Sequence, residues 1–116
     1  MMRSVFLMAA ALSMTLAGAC TPSMTPQQLA ERDCAAQGGK MQRVGRAQTL
    51  QCVIAYPDAG KTCRDGDDCL GDCRVPGGVI VEDGRPVAGQ CAASSDRFGC
   101  YTRVEDGLAT AAVCVD

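Results

Sequence analysis

The chain has no histidine and no tryptophan, and only two phenylalanines and two tyrosines among its 116 residues. Without histidine no Ser-His-Asp or Cys-His pair can be assembled, and the usual proton carrier of neutral pH is missing. No catalytic activity is expected. Few aromatics mean a thin core, because those side chains carry the largest individual areas of burial. No apolar run is long enough for a bilayer either. A spanning helix needs about 20 apolar residues, and the best stretch, Val5 to Leu16, is shorter and interrupted by Ser13 and Thr15. Charge of one sign is also lacking: eleven basic residues face thirteen acidic ones, for a net −2. Nothing resembles a basic stripe, so no nucleic-acid partner is expected. No cofactor is expected.

What is present at the start is a secretory signal in its usual order. Arg3 supplies the positive end, Val5 to Leu16 the apolar middle, and small residues lead to a cut site. Residues 1–19 read as signal peptide. The run Leu16-Ala17-Gly18-Ala19-Cys20 resembles the lipobox of bacterial lipoprotein precursors. That resemblance implies a diacylglyceryl thioether on Cys20, cleavage just before it, and acylation of the new amine by a palmitate-type chain. Two acyl chains already give stable anchoring, at about 0.8 kcal/mol per buried methylene. Thr21 stands where lipoproteins kept in the inner membrane often carry Asp. The resemblance therefore implies a bacterial envelope protein on the outer membrane, facing the periplasm or the cell surface. Ala17-Gly18-Ala19 is also an A-x-A site for ordinary signal peptidase, which would release a soluble product.

Nine cysteines are an awkward count for an exported chain. With Cys20 given to lipid, eight remain: Cys34, Cys52, Cys63, Cys69, Cys73, Cys91, Cys100 and Cys114. Eight close four disulfides with none left over. The segment Cys63-x5-Cys69-x3-Cys73 is dense in thiols, yet no C-x2-C pair and no histidine accompany it. The usual zinc spacings are thus absent, and no metal site is expected. A small domain with so little to bury depends on such bridges.

Residues 20–25 read as a lipidated tether and 26–116 as one cysteine-rich domain. Thr25, Pro26 and Gln28 occupy N-cap, first-turn and capping-box positions for a helix over Pro26–Gln37, which stops at Gly38-Gly39. Ala30 and Cys34 share a face of it. Two strands are expected near Lys40–Val44 and Thr49–Ala55, turning around Gly45, and Cys34 and Cys52 are placed to pair. Tyr56–Gly60 is a turn by composition. Lys61–Arg74 reads as an irregular loop knotted by bridges. Asp83-Gly84 predicts a hairpin between Val79–Val81 and Pro86–Cys91. Glu105-Asp106-Gly107 predicts another, with a three-residue loop, between Tyr101–Val104 and Ala109–Val115. Cys100 and Cys114 would face one another across it. The fold class is α+β: a small disulfide-rich domain with one N-terminal helix and two to three β-hairpins.

Asp65, Asp67, Asp68 and Asp72 form the one acidic cluster, with Gly66 and Gly71 for sharp bends. Alternating oxygens suit calcium, but the full D-x-D-x-D-G frame and its distal glutamate are missing. A solvated loop balanced by Lys61, Arg64 and Arg74 explains them as well. Removing Arg3 with the leader takes one of the eleven basic residues, leaving ten against thirteen acidic. Phe98 and Tyr101 flank Gly99-Cys100 and are expected in the core rather than on a binding face.

Cys34-x3-Gly38-Gly39-Lys40 and Cys52-Val53 through Asp58-x-Gly60-x2-Cys63 resemble small bacterial cysteine-rich exported domains, some labelled hemolysins without an assigned mechanism. The tryptophan expected just after that segment is replaced by the three-cysteine knot. Gly89-Gln90-Cys91, Phe98-Gly99-Cys100 and Cys114-Val115-Asp116 are similar to segments of small proteobacterial envelope proteins. Neither resemblance implies an activity. The expected role is a lipid-anchored envelope protein of structural or protein-binding type, with the Lys61–Arg74 loop as contact surface. The alternatives are an inhibitor of an extracellular hydrolase, such as a protease or lysozyme, and a calcium-binding envelope module.

Overall fold

The computed structural model describes residues 18 and 20–116; the rest of the expected signal segment 1–19 lies outside them. The Thr25 hydroxyl accepts from the Gln28 amide at 3.2 Å, and the Thr25 amide donates to Gln28 Oε1 at 2.9 Å. This reciprocal box starts helix α1, Pro26–Ala36, with Pro26 in its first turn. Gly38 ends it at φ +77°, a conformation cheap only without a Cβ.

Cys34 is the one buried residue of α1. Ala30 and Cys34 share a face as expected, but only Cys34 of the two is buried. A disulfide holds the helix where an apolar stripe would normally do so. Strands β1 (Gly39–Val44) and β2 (Thr49–Ile54) pair antiparallel, from Gly39 opposite Ile54 to Val44 opposite Thr49. Cys52 faces Met41, on the same side of the ribbon as Gly39, and bonds Cys34 with Cα atoms 5.5 Å apart. A Cβ on Gly39 would stand 2.6 Å from Cys52 Sγ and 2.9 Å from Cys34 Sγ. Glycine there is what lets the bridge lie against the ribbon. The ribbon's other side buries Val44 and Val53. Its Ile54 joins the second half of the chain, donating to Ser95 Oγ and accepting from the Ser95 amide, both at 2.9 Å.

The centre is a curled three-stranded sheet. Strands β3 (Thr62–Cys63) and β4 (Cys73–Arg74) lie on either side of β5 (Gly89–Cys91), both antiparallel to it. Lys61–Arg74 is therefore more ordered than an irregular loop: a strand at each end and a 3₁₀ turn at Gly66–Asp68. Cys63 and Cys73 are bonded with Cα atoms 6.0 Å apart, although strands two places apart in a flat sheet are separated by roughly 9.6 Å. The bridge bends the sheet over its middle strand. Cys69 joins Cys91. Cys63, Cys73, Cys91 and Val104 make the buried cluster, with Cys69, Val75 and Val87 packed on it. Sulfur supplies much of what aromatics would provide elsewhere.

The predicted Val79–Val81/Pro86–Cys91 hairpin is not formed. Both edges of β5 are already paired, so no edge is left for Val79–Val81. Those residues run as irregular chain, with Val79 and Ile80 exposed. The Val81 amide donates to Thr102 Oγ1 at 3.1 Å instead. Pro86, with no N–H to give a ladder, makes a single bridge to Leu108.

The last hairpin forms with a shorter loop than expected. Strands β6 (Gly99–Tyr101), β7 (Val104–Glu105), β8 (Leu108–Ala109) and β9 (Val113–Val115) pair as β7 with β8 and β6 with β9. Glu105 sits opposite Leu108, so only Asp106 and Gly107 turn, at φ +52° and +75°. Two positive φ angles are what a tight hairpin turn requires. Tyr101 pairs with Val113 and Val104 with Ala109. Thr110–Ala112 thus spans the gap left by Thr102 and Arg103 with one extra residue, a bulge. That extra residue sets Cys100 opposite Cys114, where they bond. The result is an α+β domain with four disulfides.

Candidate interaction surface

The Lys61–Arg74 loop is fixed from below by sulfur and from the sides by hydrogen bonds. Cys63 and Cys73 close its base, and Cys69 ties its middle to β5. Asp65 caps the 3₁₀ turn, its Oδ1 accepting from the Asp67 amide at 3.1 Å. Asp68 Oδ2 reaches back to the amides of Arg64 and Asp65, at 2.9 and 3.2 Å. Lys61 Nζ donates to the Asp68 carbonyl at 3.2 Å. The Leu70 amide donates to Asp58 Oδ2 at 2.8 Å, so the Tyr56–Gly60 turn also supports the loop. Gly71 lets the Tyr56 ring approach, since a Cβ there would meet the ring carbons.

Two of the four cluster carboxylates are therefore spent on backbone amides. Asp65 Oδ2 accepts in addition from the Asp106 amide at 2.9 Å, which docks the β7–β8 turn against the loop. The amides of Asp106, Asp67 and Gly66 hold the Asp65 carboxyl below its usual value of 3.8, against a smaller opposing effect of burial. Asp72 is paired with Arg74 at 2.9 Å and Arg97 at 3.2 Å. Among the described residues no three carboxylates converge on one point; the one convergent set of ligand atoms is the sulfurs of Cys63, Cys69 and Cys91. Capping and ion pairing account for Asp65, Asp68 and Asp72, while Asp67 contributes only its amide to these bonds.

What the loop presents outward is Leu70, 64 % exposed between Cys69 and Gly71. An apolar side chain standing out from a cross-linked loop loses little further entropy on contact, because its backbone is already ordered. At the loop's far end Arg74 lines an open groove of about 510 Å³ together with Pro76, Gln90, Phe98 and Tyr101 among others. The Arg74 guanidinium stacks 3.7 Å from the centre of the Tyr101 ring. Tyr101 is buried as expected, and Phe98 is half-buried against Gly45. The Arg74–Tyr101 stack and the Arg97–Asp72 pair join residues more than two dozen positions apart, and no local sequence signal marks either.

Cys20 is exposed, as are Thr21–Thr25, and is the free cysteine among the described residues. No helix among the described residues is long and apolar enough to cross a membrane. No protein-family model, curated protein or solved structure matches the chain.

Proposed function

We propose that the protein is a lipid-anchored component of a bacterial envelope that works by binding another protein through the Lys61–Arg74 loop. The observation that carries this reading is Leu70, held out from a loop that two disulfides and the Asp58, Asp65 and Asp68 carboxylates make rigid. The anchor rests on the resemblance of Leu16–Cys20 to a lipobox. An exposed Cys20 outside a set of four completed bridges supports it. Outer-membrane placement follows from Thr21 and belongs to the same proposal.

The test is site-specific photo-crosslinking in intact cells from position 70, with Arg46 in the turn between β1 and β2 as control. A defined adduct with an envelope protein from position 70 and none from position 46 is the expected result. Adducts to a secreted hydrolase would favour the inhibitor reading. Equal labelling from both positions would remove the loop from consideration.

A further inference from the structure

Strand β6 has an unpaired edge, because it pairs only with β9. Cys100 and Cys114 face one another in that pair with Cα atoms 4.1 Å apart. This is the close spacing of opposed residues that exchange no backbone hydrogen bonds, about 4.5 Å against about 5.5 Å for those that do. The Cys100 N–H and C=O therefore point away from β9, and Cys100 lines the open groove beside Tyr101. The chain starts to cover this side, with Arg74 bridged to Arg103 and the Val75 amide donating to the Thr102 carbonyl at 2.9 Å. It then turns away. Pro76 has no N–H to offer, and Gly77 and Gly78 adopt φ +72° and +67°.

An unpaired strand segment follows directly. Val79-Ile80-Val81 is strand-prone by composition, and Val79 is already extended at φ −69°, ψ 131°. Val79 and Ile80 are 55 % and 53 % exposed. No backbone hydrogen bond among the described residues involves Ile80. The segment lies near the edge without covering it: Thr102 Oγ1, one residue beyond β6, holds the Val81 amide, and none of the three residues lines the groove.

We propose that two copies of this chain pair here, Val79–Val81 of each adding antiparallel to β6 of the other. Ile80 of one copy exchanges both N–H···O bonds with Cys100 of the second. Segment and edge are neighbours in each copy, so a two-fold axis between them makes the contact reciprocal. A second copy is the occupant because it brings the missing strand in kind: extended, apolar, and with a free amide and carbonyl to match those of Cys100. Charge does not oppose the pairing, since residues 75–81 and 98–102 contain no ionisable side chain except Tyr101 and the bridged Cys100. Edges that must stay single are usually blunted by charge or proline, and residues 98–102 carry neither. One added strand on each side makes a small contact, of the reversible class below about 1,200 Å².

The test is photo-crosslinking of the full chain, in the cells that make it, from position 80. Expected is an adduct of twice the chain's mass, with the link on the peptide that contains Cys100. Adding Val79→Asp should abolish it, because a charge on the incoming strand blocks edge pairing. Val79 is exposed, so this substitution should leave the circular dichroism unchanged. Position 50 on β2, where Leu50 is also exposed, should give no such adduct. The proposal is overturned if position 80 gives no double-mass adduct, if the link falls elsewhere, if the adduct survives Val79→Asp, or if only other proteins are captured. None of these results depends on what position 70 binds.

Discussion

A Cβ placed on Gly89 would overlap the Sγ of Cys73, because the Cys63–Cys73 bridge passes directly over β5 at that residue. The same Cβ would stand 2.9 Å from Val104 Cγ2. Backbone and buried methyl close the space on the remaining sides. Gly89→Ala is therefore expected to destabilise by about 1–3 kcal/mol, the range for overpacking a filled core. Gly66→Ala, where the added carbon meets nothing within 4 Å, should stay within about 0.5 kcal/mol of the parent. Paired thermal melts compare the two, and equal losses would contradict the packing account.

Asp65 gives the molecule a pH dependence of predictable sign. Its folded carboxyl titrates below 3.8, held down chiefly by the Asp106 amide and then by Asp67. Its contribution is therefore complete above 3.8 and disappears as pH falls through the lower, folded value. Asp65→Asn should melt below the parent at neutral pH, and the gap should close on acidification. Melting curves at pH 7 and in the acid limb check this; a gap that widened in acid would show the sign to be wrong.

Exposure orders the bridges by their susceptibility to reduction. Cys100 and Cys114 are both exposed, whereas Cys63 and Cys73 are 2 % and 1 % accessible. A thiolate must reach a sulfur to exchange with it. Limited reduction followed by alkylation and peptide mapping should label Cys100 and Cys114 first, and Cys63 and Cys73 only as the domain unfolds. Early labelling of the central pair would mean the knot is open to solvent.

Local chemistry made the N-terminal third of the domain legible from sequence. Thr25, Pro26 and Gln28 specify the start of α1 within four residues, and Cys34 and Cys52 fall on either side of a simple hairpin turn. The central sheet was not legible in the same way. The partners of Cys63 and Cys69 depend on β5 inserting between β3 and β4, a non-local arrangement with no mark in spacing. Val79-Ile80-Val81 has strong strand character, but strand preference expresses itself only where an edge is free. The acidic cluster reads as a solvated loop first, with calcium the lesser alternative. Its caps and the Asp72–Arg74 pair are local, whereas the Asp65–Asp106 and Asp72–Arg97 contacts join residues distant in sequence.

The capping box offers a separate local test. Thr25→Ala removes the side-chain acceptor at the helix start, a loss of about 1 kcal/mol in typical hosts. Cys34 is the one buried residue of α1 and its disulfide ties the helix to β2, so the effect should stay within the helix. Amide exchange should quicken across Pro26–Asp33 while the central sheet keeps its protection. Faster exchange at Gln90 or Cys91 would mean that the helix and sheet unfold as one unit.

The anchor and the four-bridge framework together are tested most directly by intact mass of the protein from the membrane fraction, before and after reduction and alkylation. The account predicts a mature chain beginning at an acylated Cys20, inert to alkylation as isolated and taking eight alkyl groups once Cys34–Cys52, Cys63–Cys73, Cys69–Cys91 and Cys100–Cys114 are reduced. A lipid-free chain that alkylates before reduction would contradict it, and would make Cys20 a free thiol on a soluble exported protein.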